Sequence, residues 1–212
     1  NHITEEISKL NDEFELEEAA QNEFNKIYED IFKRVNELNQ NYSYATEELE
    51  KLKKLYVIED QGMDITAEAH ALAGMLEQMA ALKDLINSQE FSYQEVVEKL
   101  KDLDSQGEAF QKKLQVFFAK RDEMYLTEKR ALDELENINI VLLEIKSQIK
   151  NKQLPMINES YKDYIADSYK KANEIRFLCK SRPIILENLT NQVDTARDII
   201  YKLYNNIHNL IV

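Results

Sequence analysis

Apolar residues in the first quarter of the chain recur at alternating spacings of four and three. Ile3, Ile7, Leu10 and Phe14 begin the series, and it resumes in the same phase at Phe24, Tyr28, Ile31, Val35, Leu38, Tyr42, Ala45, Leu49, Leu52 and Tyr56. Over eight heptads only Glu17 and Gln21 depart from it. A 3.5-residue apolar period sustained this far is the signature of a long helix packed along a coiled-coil seam. No Gly or Pro occurs before Gly62, so the spacing predicts one helix over about 4–59, roughly 85 Å long at 1.5 Å per residue.

The whole chain of 212 residues holds three Gly and two Pro, too few turn formers for a sheet protein. Five helices are expected. Gln61 and Gly62 end the first, and Asp64 or Thr66 can cap the second. That helix, to about 87, is Ala-rich with larger residues at Leu72, Leu76, Met79, Leu82 and Ile86. A break over 88–92 follows, where Ser92 with Glu95 reads as a capping box. A second long helix then runs to about 152. Its seam, from Tyr93 and Val96 to Ile145 and Ile149, is interrupted by Gly107, Arg121 and Glu128. Gly107 signals either a close helix crossing or a kink. Leu154 and Pro155 stop that helix, a fourth covers 159–180, and Arg182 with Pro183 precedes a fifth whose stripe is Leu186, Leu189, Val193, Ala196, Ile200, Leu203, Ile207 and Leu210.

Gly62 and Pro155 lie 93 residues apart, and the order of long helix, break, short helix, break repeats. A period of that size containing three helical lengths implies an internal repeat. The expected architecture is all-α: tandem antiparallel three-helix, spectrin-like bundles that share long continuous helices in an elongated rod. Residues 1–30 are read as the third-helix remnant of a preceding repeat, 31–121 as the first three-helix repeat and 122–212 as the second, with the handover near Arg121. The structural breaks are Gly62, Ser92, Pro155 and Pro183. The stripe Ile7, Leu10, Phe14 and Phe24 then lacks a partner and is expected to serve self-association, for example in a homodimer.

Little chemistry is encoded. The net charge is −13, distributed as about −9 over residues 1–60, −5 over 61–158 and +1 over 159–212. Such a surface repels a phosphate backbone, so no nucleic-acid partner is expected. His2, His70 and His208 sit in different elements, and neither His70 nor His208 has the Glu three residues earlier that a di-metal helical bundle uses. Cys179, the single cysteine, falls on an apolar helix face without a base at recognisable spacing. There is no Gly-rich phosphate loop. No catalytic residue, metal ligand or cofactor is expected, and the chain reads as a non-enzymatic scaffold. Most of the eleven tyrosines lie on or beside seams; Tyr44, Tyr125 and Tyr201 are the candidates for exposed contacts.

The order of residues at the later breaks carries a family likeness. Phe110, Gln111, Lys112, Lys113 and Leu114 are followed by Lys120, Arg121, Asp122 and Glu123. Then come Ala131 and Leu132, Ile145 and Lys146, Leu154 and Pro155, and Tyr161. Arg182, Pro183 and Ile184 precede Leu186, Leu189, Val193, Asp194 and Leu203. This succession resembles the cytoplasmic repeats of the EzrA septation ring formation regulators of Gram-positive bacteria, most clearly over about 105–205. Met156 stands where the family often has Gly, and Ile185 where it often has Asn. The resemblance implies a protein of cell division and the cell cycle on the cytoplasmic side of the membrane at the division septum. It would modulate FtsZ ring assembly and link the ring to the membrane and to other division proteins. Membrane attachment would come only through an anchor outside these 212 residues. The alternative, which heptads alone allow equally, is a spectrin-type or other coiled-coil cytoskeletal scaffold unrelated to FtsZ.

Overall fold

The computed structural model describes residues 1–59, 61–151 and 159–211. It contains five helices: α1 (His2–Leu55), α2 (Thr66–Asn87), α3 (Tyr93–Asn151), α4 (Glu159–Lys180) and α5 (Leu186–Ile211). Among the described residues the extended pairing is one isolated parallel bridge between Tyr56 and Ile184. The all-α expectation holds. The expected break at Pro155 lies outside the described residues.

Local chemistry accounts for the helix ends. After Leu55 the chain turns through Gly62, whose φ of +66° is open to glycine without steric cost. The N-cap position of α2 is Ile65, without a side-chain cap bond; Asp64 just before it holds the first residue of the helix, its Oδ1 accepting from the Thr66 N–H at 2.9 Å and from the Thr66 hydroxyl at 2.5 Å. α2 ends with the Ser88 N–H on the Asp84 carbonyl (3.0 Å) and with Gln89 at φ +60°, a left-handed terminator filled here by a non-glycine residue. The capping box expected at Ser92 takes a different form. The Ser92 hydroxyl donates to Glu17 of α1 at 3.2 Å, and Glu95 pairs with Lys99 instead.

The chain packs as two compact units. The first comprises residues 1–48 and 63–118. Within it α1 and α3 run in the same direction, as shown by the ion pair of Lys101 with Glu23 at 2.9 Å and by Tyr42 beside Phe110. α2 runs against them, with Glu68 facing Lys113 at 3.8 Å and Gln78 bonded to Gln106 at 3.1 Å. Ile31, Val35, Leu38 and Ala45 of α1, Leu72, Met75 and Leu82 of α2, and Val96, Leu100, Leu103, Phe110, Leu114 and Phe117 of α3 form its buried core. Most of them are seam positions of the heptad pattern, so the 3.5-residue period is spent on three-helix packing.

The second unit comprises residues 49–62 and 119–212. α4 runs against α3, with Arg176 on Glu136 at 3.4 Å. α5 returns beside α3, the Tyr204 hydroxyl donating to Glu144 at 3.3 Å. Leu135, Ile138, Leu142 and Ile145 of α3, Ala172 and Ile175 of α4, and Leu189, Val193, Ala196, Ile200, Leu203 and Ile207 of α5 are buried together with Leu52 and Tyr56 from the end of α1. The last turn of α1 thus belongs to this core, and the residues expected as a first repeat, 31–121, contribute to both units.

Candidate functional site

The most elaborate polar arrangement among the described residues is in the second unit, where the end of α1 meets the connection between α4 and α5. Two backbone bonds tie them: the Val57 N–H donates to the Ile184 carbonyl at 2.8 Å, and the Ile184 N–H to the Leu55 carbonyl at 2.9 Å. Beneath this bridge Glu128 of α3 points a carboxylate into the core. One oxygen accepts from the Tyr56 hydroxyl and the other from the Arg182 guanidinium. Arg182 also donates to the Leu55 carbonyl at 3.3 Å, and its guanidinium carbon lies 5.7 Å from the centre of the Tyr56 ring, within cation–π range. Tyr125 meets Tyr56 edge-on with centroids 6.0 Å apart.

The sequence signals this clasp only as a defect. Glu128 occupies a seam position where an apolar residue is expected, and its side chain is 11% exposed against 31% for Arg182. A carboxylate this deep is stable only when it is paired and hydrogen-bonded, and both conditions are met. The electrostatics follow. Burial first, then the hydrogen bond to Glu128 and its charge, push the Tyr56 phenol well above the ordinary tyrosine range, with Arg182 acting the other way. Burial and the same carboxylate push the Cys179 thiol up, again with Arg182 opposing. For Arg182 burial alone would lower the pKa, but the bond and charge of Glu128 outweigh it and the net shift is upward. A thiol kept protonated is a poor nucleophile, and the donors and acceptors of the clasp are turned on one another. Chemically the arrangement fastens.

The first unit has a smaller counterpart. Glu17, a charged break in the α1 seam, accepts the Tyr93 N–H at 2.8 Å in addition to the Ser92 hydroxyl. It thereby caps α3 from a different helix. Phe24 packs against Tyr28 and Tyr93 and is half-buried. Phe24 is thereby set apart from the rest of the expected stripe: Ile7, Leu10 and Phe14 lie exposed, as does Ile3. The three tyrosines expected as exposed contacts, Tyr44, Tyr125 and Tyr201, are 49%, 36% and 37% exposed; Tyr44 also stacks on Phe118, and Tyr125 meets Tyr56 edge-on. Of the breaks, Gly62 sits beside Lys120, whose ammonium donates to the Gln61 carbonyl at 3.2 Å. Pro183 follows a cis peptide in the clasp loop.

Among the described residues there are grooves between helices, one of about 440 Å³ between α2 and α3 lined by Gln78, Leu82, Glu95 and Asp102. One of about 320 Å³ lies between α4 and α5, lined by Tyr164, Lys171, Thr195 and Ile199, and one of about 370 Å³ lies between α3 and α5. Among the described residues no group of three or more His, Cys, Asp or Glu is placed to hold a metal ion, and no helix is long and apolar enough to cross a membrane.

Comparison with known proteins completes the picture. The family model described as "Septation ring formation regulator, EzrA" matches residues 1–212. A curated relative, the septation ring formation regulator EzrA of Streptococcus gordonii (strain Challis), is 24% identical over 217 aligned positions, covering 95% of this chain and 36% of the relative. The chain therefore spans about a third of the length of that relative. No solved structure matches. The chain belongs to the EzrA family of septation ring formation regulators.

Proposed function

From that membership, we propose that the chain is part of a non-enzymatic scaffold that regulates septation ring formation at the division site. In this reading it modulates FtsZ assembly and helps link the ring to the membrane and to other division proteins, with membrane attachment supplied by an anchor outside these residues. The observation that carries the proposal is the family match over the full 212 residues. The fold agrees with it: two helical units offer long side-chain faces and shallow grooves, and their best-organised polar groups serve to hold helices in place. The repeat organisation, with 31–121 and 122–212 as successive three-helix repeats, is part of the same proposal; of the expected remnant 1–30, Glu17, Glu23 and Phe24 pack within the first unit. It is supported by the alternating helix directions within each unit.

Co-sedimentation with FtsZ polymers tests it. Both the 212-residue chain and the full-length protein are assayed with FtsZ in GTP and in GDP. Enrichment of the full-length protein in the GTP pellet supports the reading. Its absence there, with septal localisation retained in cells, points instead to a division scaffold that does not act on FtsZ.

A further inference from the structure

Helix α4 carries a side that the core of the second unit does not use. Lys162, Ala166, Lys170, Asn173, Phe177 and Lys180 recur at spacings of four and three, so they share one side of α4, and all six are exposed. Lys129, Leu132, Glu136, Ile140 and Leu143 do the same on α3. The ion pair of Arg176 with Glu136 at 3.4 Å sets the two series side by side. Leu132, Ile140, Leu143 and Phe177 are 39%, 55%, 59% and 71% exposed. Exposed apolar residues scattered singly are ordinary on a protein surface. Four large ones on adjoining sides of two antiparallel helices form a patch. α3, α4 and α5 already bury Ile138, Ile175 and Ile200 among them, so the patch lies on the outside of a closed core.

Charge is sorted around this patch. The whole chain carries −13, yet the α4 series holds three Lys and no acid, and the α3 series one Lys and one Glu. Glu136 is taken by Arg176, and Lys129 pairs with Asp133. Lys170 and Lys180 have no ion pair among the described residues. Asp163, Asp167 and Glu174 fall on the side of α4 toward α5, where Asp167 lines a groove. Glu144 of α3 likewise turns to α5, through Tyr204. The patch is therefore apolar with a positive fringe, on an otherwise acidic molecule. An anionic bilayer is a poor occupant, because it extends past the patch and meets the negative charge of the rest of the chain. A second copy would have to offer a different surface to this one, and such head-to-tail contacts run on into open chains. A single acidic helix meets only the patch, and the groove between two packed helices accepts a third.

We propose that this α3–α4 face of the second unit docks an acidic amphipathic helix of a partner protein. The partner's apolar stripe lies on Leu132, Ile140, Leu143 and Phe177, and its Asp or Glu residues meet Lys170 and Lys180. The proposal does not depend on FtsZ and stands or falls separately from the reading above.

A labelled synthetic peptide with a Leu/Ile heptad seam and Glu at the flanking positions is titrated against the 212-residue chain by fluorescence anisotropy. It binds, and added salt weakens it. Ile140→Ser/Phe177→Ser and Lys170→Glu/Lys180→Glu each weaken it about tenfold while keeping the helical circular dichroism. Lys26→Glu/Lys33→Glu, an equal charge change on exposed residues of the first unit, leaves it unchanged. No binding by the unmodified chain, or binding that either face variant leaves intact, overturns the proposal. So does an equal loss in the first-unit variant, which reduces the effect to net charge. An assembly of the unmodified chain in sedimentation velocity that Phe177→Ser abolishes also overturns it, since that outcome assigns the face to a second copy. Binding to phosphatidylserine vesicles that the face variants abolish overturns it in favour of a bilayer.

Discussion

Helix α3 breaks its apolar seam at Gly107 in the first unit and at Arg121 and Glu128 in the second, and Gly107 and Glu128 have opposite meanings. In the first unit the break is Gly107, buried beside Leu38 and Arg34 of α1. In the second, Glu128 is buried among Tyr56, Arg182 and the end of α1. As pattern, both are failures of the heptad. As structure, one is a missing side chain that no neighbour requires, and the other is the anchor of the most connected polar group among the described residues. What separates them is whether the surroundings hold partners matched to the break.

The largest test of that contrast is Glu128→Ala. It leaves the partly buried Arg182 guanidinium and the Tyr56 hydroxyl without their shared acceptor, and is expected to cost about 2–4 kcal/mol, less than a fully buried pair because Arg182 keeps some access to water. Urea unfolding followed by circular dichroism reads the total. Amide exchange of Val57 and Ile184 reads the local release. The double variant Glu128→Leu/Arg182→Leu should recover most of the loss, since it removes the stranded charge together with its partner. A cost below about 0.5 kcal/mol for Glu128→Ala would put Glu128 in the same class as Gly107 and dissolve the comparison.

Tyr56→Phe comes next, at about 1 kcal/mol for the hydrogen bond to Glu128. It also has a pH signature. The folded-state pKa of Tyr56 is raised above its unfolded value. Its contribution is therefore fully present below the unfolded pKa of about 10. It is lost as pH rises from there, because the unfolded phenol ionises while the folded one stays protonated. The stability difference between the unmodified chain and Tyr56→Phe should be constant from pH 7 to 9 and shrink above pH 10. A difference that stays flat to pH 11 would remove the clasp from the account of that shift.

Glu17→Ala is the counterpart in the first unit. Glu17 caps α3 through the Tyr93 N–H, and losing a cap costs about 1 kcal/mol. The effect should stay local: faster amide exchange at Tyr93 and the next two residues, and none at Val57 or Ile184.

Most helix boundaries were legible because Gly, Pro and short polar side chains act locally. Asp64 at α2 and the pair Arg182 and Pro183 before α5 are of that kind. The core was largely legible because most seam positions from Ile31 to Ile207 are buried, although Leu49, Leu76 and Met79 are only half-buried while Glu48 and Met75 beside them are buried. Glu17 and Glu128 were visible only as violations, since their partners lie 76 residues away at Tyr93, and 72 and 54 away at Tyr56 and Arg182. Heptad spacing carries no information about pairs that distant. Ser92 illustrates the same limit. Its spacing to Glu95 fits a capping box, yet a carboxylate on another helix takes its hydroxyl. Phe24 looked like part of the unpartnered stripe because the seam does not say where α2 ends and Tyr93 arrives.

The smallest expected effect has the opposite sign. The sequence leaves Gly107 as a close crossing or a kink. A Cβ added there would lie 3.4 Å from Leu38 Cδ1 and 3.8 Å from Arg34 Cδ, ordinary contact distances, and α3 continues through the position as helix. Gly107→Ala should therefore stabilise the chain by about 0.5–1 kcal/mol, the helix-propensity gain of Ala over Gly. Gly74→Ala on α2, where no atom lies within 4 Å of the added Cβ, supplies the propensity gain without new packing. The two gains compared in urea unfolding isolate the Leu38 contact. Equal gains mean that Gly107 is slack in the seam. A loss at Gly107 with a gain at Gly74 would mean that α1 and α3 need the glycine to approach, and Gly107 and Glu128 would then both be specific accommodations.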